Sequence, residues 1–491
     1  MRIGNHPLKD FSSIRKDKVF LYFEGRKISA FKGENIAEAL YASGVDVFRH
    51  DEGGRPRGLF CAIGKCSSCL MKVNGIPNIR TCITPVEDGM IIERQNGSPE
   101  IPDIKSLNNH KDIFSKTQVV ESDVVIIGGG PAGLSAAITS ADYGCSVSVI
   151  DENPLVGGQL VKQTHKFFGS RRRLAGVRGM QIAQILLNEA KNRNIKIYSS
   201  TSAFGIHDFG DKKQVSAVAD NKRLVEFNAS SVIVATGAVE KMIPFENNDL
   251  PGVYGAGAVQ TLLNTYGIIP GNNVLIVGGG NVGLILAYQL LQAGVNVSAV
   301  IEYMPHIGGY FVHAAKIRRM GIPILTRHTI LGVTGDERVN KAIVGQMDVN
   351  GNVIKKLEFD VDTVALAVGF HPSIELMHQA GCSFTYSAEL GGHVVIRNEK
   401  METSVKGIFT AGDASGIEEA TTAMLEGKIA GISATVHAGK ANEKSEEDIV
   451  GLIKELDNFR GGPRSAAIRR EISKITEKYN EDENINMGDD I

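Results

Sequence analysis

Two strand–turn–helix units, each built around a run of three glycines, constrain the fold of this chain more than any other feature. Asp123 to Ile127 reads as a short apolar strand that runs into Gly128-Gly129-Gly130-Pro131-Ala132-Gly133, a helix through Ala141, and a second strand, Ser146 to Ile150, ending in Asp151. The plan recurs with Asn273 to Val277, then Gly278-Gly279-Gly280-Asn281-Val282-Gly283, a helix through Ala293, and Asn296 to Ile301 ending in Glu302. A glycine fingerprint alone says little. Preceded by a strand, opening a helix and followed about 20 residues later by an acid, it is the pattern of a dinucleotide-binding βαβ unit. The glycines allow a tight turn and a close approach of pyrophosphate to a helix N-terminus, where unpaired N–H groups and the helix dipole favour an anion. Asp151, with Glu152 beside it, and Glu302 are placed to accept hydrogen bonds from ribose hydroxyls. Glu302 also disfavours a 2′-phosphate, so the second unit is expected to take NAD rather than NADP. The reading that competes with both is a nucleotide-shaped fold left empty. Two such units predict an α/β chain with two nucleotide domains, the second inserted into the first.

Ahead of them stand Cys61, Cys66, Cys69 and Cys82, spaced C-x4-C-x2-C-x12-C. Four thiolates converging on two irons need a loop whose backbone approaches closely, and Ala62, Gly64, Ser67 and Ser68 supply the small residues. A structural zinc site is the competing reading, but zinc ribbons favour two C-x2-C knuckles and this loop has one. Around the loop, Val19 to Phe31 alternates as two strands about a turn at Glu24-Gly25. Asn35 to Ser43 has helical spacing, Leu70 to Val73 reads as a strand, and Asn74-Gly75 as a turn. The expectation is a β-grasp [2Fe-2S] module closing near Arg94. A cluster passes electrons singly and a nicotinamide passes them as hydride; a flavin mediates between the two. The motifs together therefore predict a redox relay.

The remaining composition excludes other classes. A formal charge of -2 with no basic stripe argues against nucleic acid. The longest apolar runs, such as Val274 to Val277 and Val364 to Val368, are strand-sized and far short of a membrane span of ~18 residues. Met1 to Lys18 lacks an apolar signal core, so a cytoplasmic location is expected. Cys145 and Cys382 are expected to be buried packing residues. Residues 95–120 read as a polar connector. Asp448 to Phe459 is amphipathic, and Glu481 to Asp490, acidic and poor in large apolar residues, is expected to be disordered.

Two further segments, Ser231 to Gly237 (SVIVATG) and Gly407 to Gly416 (GIFTAGDASG), are apolar strands ending in Gly/Asp turns. Their order relative to the fingerprints resembles the two-dinucleotide flavoproteins, which implies FAD on the first unit. The resemblance assigns to it Gly128, Gly130, Pro131, Ala132, Gly133, Asp151, Glu152, Gly158, Gln159, Ala235, Thr236, Gly237, Gly412 and Asp413. In that family an Asp in the position of Asp413 meets the ribityl chain, and a following helix, here starting near Glu418 or Glu419, points its N-terminus at the isoalloxazine. NAD on Gly278, Gly280, Asn281, Val282, Gly283 and Glu302 is the corresponding expectation for the second unit. Disulfide reductases of this type carry a redox-active cysteine pair, whereas Gly157-Gly158-Gln159 is followed here by Val161, Lys162, Gln163, Thr164 and His165 without a thiol. Disulfide reduction is therefore disfavoured. Lys162 to Arg173, with His165, two Phe and three consecutive Arg, is either a solvated loop or an anion- or partner-docking segment.

Ala235 to Asn264 (ATGAVEKMIPFENNDLPGVYGAGAVQTLLN) sharpens the resemblance, together with the Arg55 to Gly58 stretch. The chain resembles, nearly throughout to about residue 437, the alpha subunit of heterotetrameric sarcosine oxidase and its relatives: archaeal proline dehydrogenase, opine and hydroxyproline dehydrogenases, and hydrogen cyanide synthase. The resemblance implies a partner beta subunit of glycine-oxidase type that oxidises the substrate amine, with further small subunits and an FMN at a subunit surface as additional expectations. It leaves FAD, NAD or ATP as occupants of the first nucleotide site, and retention of Asp413 favours FAD. The alpha subunits of sarcosine oxidase lack the cluster cysteines and continue into a folate-binding region. Other relatives carry a cysteine-rich C-terminal domain, and no cysteine follows Cys382 here. The domain expectation is a ferredoxin-like module at 1–95, a linker at 96–120, an FAD domain at 121–252 and 371–437 interrupted by an NAD-type domain at 253–370, and a C-terminal helix with a disordered acidic tail at 438–491. The functional expectation is an FAD- and [2Fe-2S]-containing electron-transfer subunit of an amine or imino-acid dehydrogenase or oxidase, with no catalytic residue assigned on this chain. The alternatives are a self-contained NADH-dependent ferredoxin-type reductase, a redox partner of a glycerol-3-phosphate dehydrogenase, and a scaffold subunit with a purely structural nucleotide.

Overall fold

The computed structural model describes residues 1–4, 6–99, 117–167, 174–220 and 223–488. The chain divides into two compact units, one formed by Met1–Asn109 with Glu240–Gly369 and the other by His110–Val239 with Phe370–Ile491.

In the first unit, Lys18–Phe23 and Arg26–Phe31 form an antiparallel hairpin, and Lys18–Phe23 pairs in parallel with Ile91–Arg94. Leu70–Val73 and Ile76–Arg80 complete a five-stranded sheet. Alternation drives it: Leu21, Phe23, Ile28 and Ala30 point inward onto the helix Ile36–Ala42, whose Ile36, Ala37, Ala39 and Leu40 are fully buried. The same unit contains a parallel sheet in the order Val253–Gly255, Thr363–Leu366, Asn273–Val277, Asn296–Glu302, Ile324–Thr326, flanked by the helices Asn281–Gln292 and Phe311–Arg319. One apolar cluster runs through both parts, joining Leu21, Leu40, Phe48 and Ile92 to Tyr254, Leu262, Ile276 and Leu286. The module and the second nucleotide fold share a core. Residues 240–252, assigned from sequence to the first nucleotide domain, also belong to this unit.

The second unit is built on a parallel sheet in the order Lys196–Tyr198, Val147–Ile150, Val124–Ile127, Ser231–Val234, Ile408–Thr410. All-buried strands of Val and Ile are what a sheet covered on both faces requires. The helices Pro131–Asp142 and Ala420–His437 cross at backbone contact: a Cβ on Gly427 would lie 2.1 Å from the Ala132 carbonyl oxygen, and one on Gly431 2.6 Å from that of Ala136. Part of the expected linker is a strand, Gln118–Glu121, paired with Arg223–Ala229; residues 100–116 lie outside the described residues. Cys145 and Cys382 are buried as expected.

The C-terminal region departs from the reading by composition. After the helix Ser445–Phe459, a second helix, Ala466–Gly488, runs through most of the segment expected to be disordered. Ile468, Ile472, Ile475 and Tyr479 fall at helical spacing; Ile475 and Tyr479 are buried, and the three isoleucines form an apolar cluster with Leu390 and Val394. That stripe anchors the helix, and the acidic residues follow on from it. Among the described residues no helix is long and apolar enough to cross a membrane.

Candidate redox centre and nucleotide sites

The cysteine loop is shaped by three left-handed residues, Ala62 (φ 51°), Gly64 (φ 73°) and Ser67 (φ 56°). Each reverses the chain locally and turns N–H groups toward sulfur. Ile63 N–H donates to Cys61 Sγ at 3.5 Å and Gly64 N–H to Cys82 Sγ at 3.3 Å. Gly64 has no room for a side chain, since a Cβ would meet Ile83 Cδ1 at 2.8 Å. Cys82 is brought in just past the strand Ile76–Arg80, where the Thr81 hydroxyl donates to the Cys69 carbonyl at 2.7 Å. The Asn35 amide then holds the Cys82 carbonyl and the Tyr266 hydroxyl, both at 2.9 Å.

The thiols of Cys66 and Cys82 beside it hold the Cys61 thiol far below its ordinary value, and Cys82 lowers that of Cys69. Among the described residues no three Cys, His, Asp or Glu side chains are grouped as a single metal ion would require. Four cysteines brought together in one loop, Cys61 beside Cys66 and Cys82 and Cys69 beside Cys82, fit a two-iron, two-sulfide core, in which each iron takes two thiolates. Amide donors to sulfur and small residues at the points of approach complete that fit. Cys61, Cys69 and Cys82 are buried, while Cys66 is half-buried at a cavity of about 220 Å³ lined also by Arg49, Arg57 and Ser68.

At the first fingerprint, Gly128 has φ 105°, and a Cβ there would lie 2.2 Å from the Ala235 carbonyl oxygen; a Cβ on Gly133 would lie 1.8 Å from that of Gly128. Both positions require glycine. Gly130 caps the helix Pro131–Asp142. The buried Asp151 accepts from Gly129 N–H and Asn153 N–H, each at 2.8 Å, and burial still pushes its carboxyl upward. Glu152 beside it is exposed. Gly158 sits on the glycine turn, where a Cβ would meet Gly130 Cα at 2.8 Å, and Gln159 follows it in a single 3-10 turn. Thr236 donates to the Ser373 carbonyl at 2.8 Å, fixing the Ala235–Gly237 loop. Gly412 packs against Ala132 at the start of the same helix, which places Asp413 beside its first turn. Burial, with the charges of Glu426 and Glu418 behind it, pushes the Asp413 carboxyl up to about 7. The helix expected near Glu418 or Glu419 begins at Ala420 with Glu419 as its cap. Glycine turn, acid and Asp413 thus surround the carboxyl ends of the parallel strands, where an open α/β sheet binds its ligand, and the cradle fits FAD.

Sequence reasoning missed what holds this loop. Glu426 Oε1 accepts from Arg397 at 3.0 Å and Arg460 at 2.7 Å, and its Oε2 accepts from Gly412 N–H at 2.9 Å and the Ser415 hydroxyl at 2.7 Å. Arg460 also pairs with Glu418. Nothing local marks the ion pairs, whose members lie 29 to 42 positions apart along the chain.

The second fingerprint repeats the first. A Cβ on Gly278 (φ 113°) would lie 2.2 Å from the Ala367 carbonyl oxygen, and one on Gly283 2.1 Å from that of Gly278. Gly280 caps the helix Asn281–Gln292, and Val282 follows in its first turn. Glu302 accepts from Gly279 N–H at 2.7 Å. Gly309 N–H donates to the Gly279 carbonyl at 3.0 Å, and Tyr310 N–H to Asn281 Oδ1 at 2.8 Å. The signal for this second glycine pair was present: Gly308-Gly309 follows Glu302 at the spacing at which Gly157-Gly158 follows Asp151. His165 stacks on Phe167 at 5.1 Å between ring centroids. Phe168 and the three arginines 171–173 lie outside the described residues.

Comparison with known proteins gives two family matches: a pyridine nucleotide-disulphide oxidoreductase model over residues 122–427 and a 2Fe-2S iron-sulfur cluster binding domain over residues 16–97. The chain is 27% identical over 465 residues to the alpha subunit of sarcosine oxidase from Rhizobium meliloti (strain 1021), covering 82% of this chain and 44% of that protein. It is 29% identical over 334 residues to an opine oxidase subunit of Agrobacterium tumefaciens (strain Ach5), covering 64% of this chain and 65% of that one. Among solved structures it resembles L-proline dehydrogenase from P. horikoshii, with a TM-score of 0.70 and 28% identity over 91% of this chain and 79% of that one. The chain spans less than half the length of the sarcosine oxidase subunit it matches.

Proposed function

Because the chain belongs to the pyridine nucleotide-disulphide oxidoreductase family and carries a 2Fe-2S domain ahead of that fold, we propose that it is the electron-transfer subunit of a heteromeric amine or imino-acid dehydrogenase or oxidase. The observation that carries this reading is the proximity of Cys61, Cys66, Cys69 and Cys82 in a chain that has no cysteine between Cys145 and Cys382, and so no thiol pair following Gly157-Gly158-Gln159 to act on a disulfide. Its similarity to sarcosine and opine oxidase subunits and to a proline dehydrogenase favours a carbon–nitrogen bond as the electron source.

In this reading substrate is oxidised on a partner beta subunit of glycine-oxidase type. FAD supplies two-electron storage with one-electron release, and a [2Fe-2S] cluster supplies single-electron export. The residues of this chain bind and orient. Gly128, Gly130 and Gly133 admit a pyrophosphate to the helix N-terminus, Asp151 meets a ribose, and Asp413 meets the ribityl chain. The four thiolates would hold the iron, with the amides of Ile63 and Gly64 donating to the sulfurs of Cys61 and Cys82. An FMN at a subunit surface and NAD at Gly278, Gly280, Gly283 and Glu302 are further parts of the proposal.

Anaerobic NADH should leave the visible flavin absorbance of the purified chain in place, and partner subunit plus amine substrate should bleach it. Rapid bleaching by NADH alone would instead make this a self-contained reductase, the second reading, which the repeated fingerprint ending in Glu302 favours.

A further inference from the structure

We propose that Arg49 is the built-in counter-charge of the cluster bound by Cys61, Cys66, Cys69 and Cys82, and that it raises the potential at which the cluster accepts an electron. The inference rests on the [2Fe-2S] reading of those thiols. Arg49 stands in the short strand Arg49–His50, directly across an antiparallel pair from Arg57. Two guanidinium groups therefore face each other, an arrangement that opposes itself unless negative charge is supplied. Both line the cavity that opens onto Cys66 and Ser68.

The two arginines are not equivalently matched. Arg57 pairs with Asp51 and with Asp249. Arg49 makes no ion pair among the described residues; its one hydrogen bond runs from Nη1 to the Gly97 carbonyl at 3.3 Å, and its Nε is buried without an acceptor. The negative groups that act on it are Asp51, already engaged by Arg57, and Cys69. A buried donor and a cation with no dedicated partner, placed beside the sulfur ligands, mark a position completed by something negative that the polypeptide itself does not supply.

The cluster is that group. Two ferric ions, two sulfides and four thiolates sum to -2, and one electron, delivered by a reduced flavin in the proposed function or by dithionite in a titration, takes the sum to -3 with no proton required. A fixed cation interacts more favourably with the reduced form, so it shifts the equilibrium toward reduction.

The test is an EPR-monitored dithionite titration of the full-length chain with Arg49→Met, which keeps bulk and removes charge, and with Arg49→Lys, which keeps charge. Arg49→Met should lower the cluster midpoint potential with iron and sulfide content unchanged, and Arg49→Lys should stay near the wild-type value. A wild-type potential in Arg49→Met with full iron, or an equal shift in both variants, would overturn the proposal. Should Arg49→Met lose iron, Arg49→Lys decides: retained iron at near wild-type potential supports the counter-charge, and loss of iron refutes it. Absence of iron and sulfide from the wild-type chain is a separate result, which would refute the cluster reading beneath.

Discussion

At individual positions, chemistry and space fix the residue type. Four thiolates need small neighbours, and a pyrophosphate turn needs glycine at Gly128 and Gly133, where backbone oxygens leave no space for a Cβ. Asp413 was named by resemblance, but its electrostatics could not be read from sequence, because Glu426 is brought to it by packing. With its carboxyl pushed up to about 7, folded Asp413 binds more proton than the unfolded chain between pH about 4 and 7. The flavin-free protein should therefore lose stability as pH rises through that window. Asp413→Asn should flatten this part of the profile, being near-neutral at pH 4 and stabilising by about 4 kcal/mol above pH 7. Thermal melts across pH check it; a profile unchanged by the substitution would count against a raised Asp413.

At the scale of elements, local periodicity located the strands and helices around both fingerprints, and composition failed where a few well-placed residues outweigh many polar ones. The Ala466–Gly488 helix is the clear case, held by Ile468, Ile472, Ile475 and Tyr479. The helix Ser445–Phe459 does more than pack on the helix Ala420–His437. Arg460, just past its end, reaches Glu418 and Glu426 and so braces the turn at Gly412 and Asp413. Removing one partner from a buried ionic group typically costs about 3 kcal/mol or more. Arg460→Ala should lower stability by about that much and weaken FAD retention, read by melting and by flavin remaining after gel filtration. Arg460→Lys should restore only part of both, because an ammonium cannot reproduce the guanidinium fork.

For the molecule as a whole, sequence order misleads. The cysteine module and the second nucleotide fold lie some 150 residues apart along the chain yet are built on one apolar cluster, because strands with complementary apolar faces share a core regardless of the polar connector between them. Cys66→Ser, which removes a cluster ligand, should accelerate hydrogen exchange both in Leu70–Val73 and in the nucleotide strand Asn273–Val277. Val124–Ile127 should stay protected and FAD should remain bound. Unchanged exchange in Asn273–Val277 would show that the shared core does not transmit the loss.

That shared core also sets an order of events during synthesis. The face formed by Leu21, Leu40 and Phe48 emerges from the ribosome early, while Tyr254, Leu262 and Ile276, which cover it, are translated much later. At about 5–20 residues per second the wait is on the order of 10–40 s. The nascent chain therefore passes through an interval in which the cysteine loop has been made but the residues that wall off its apolar face have not.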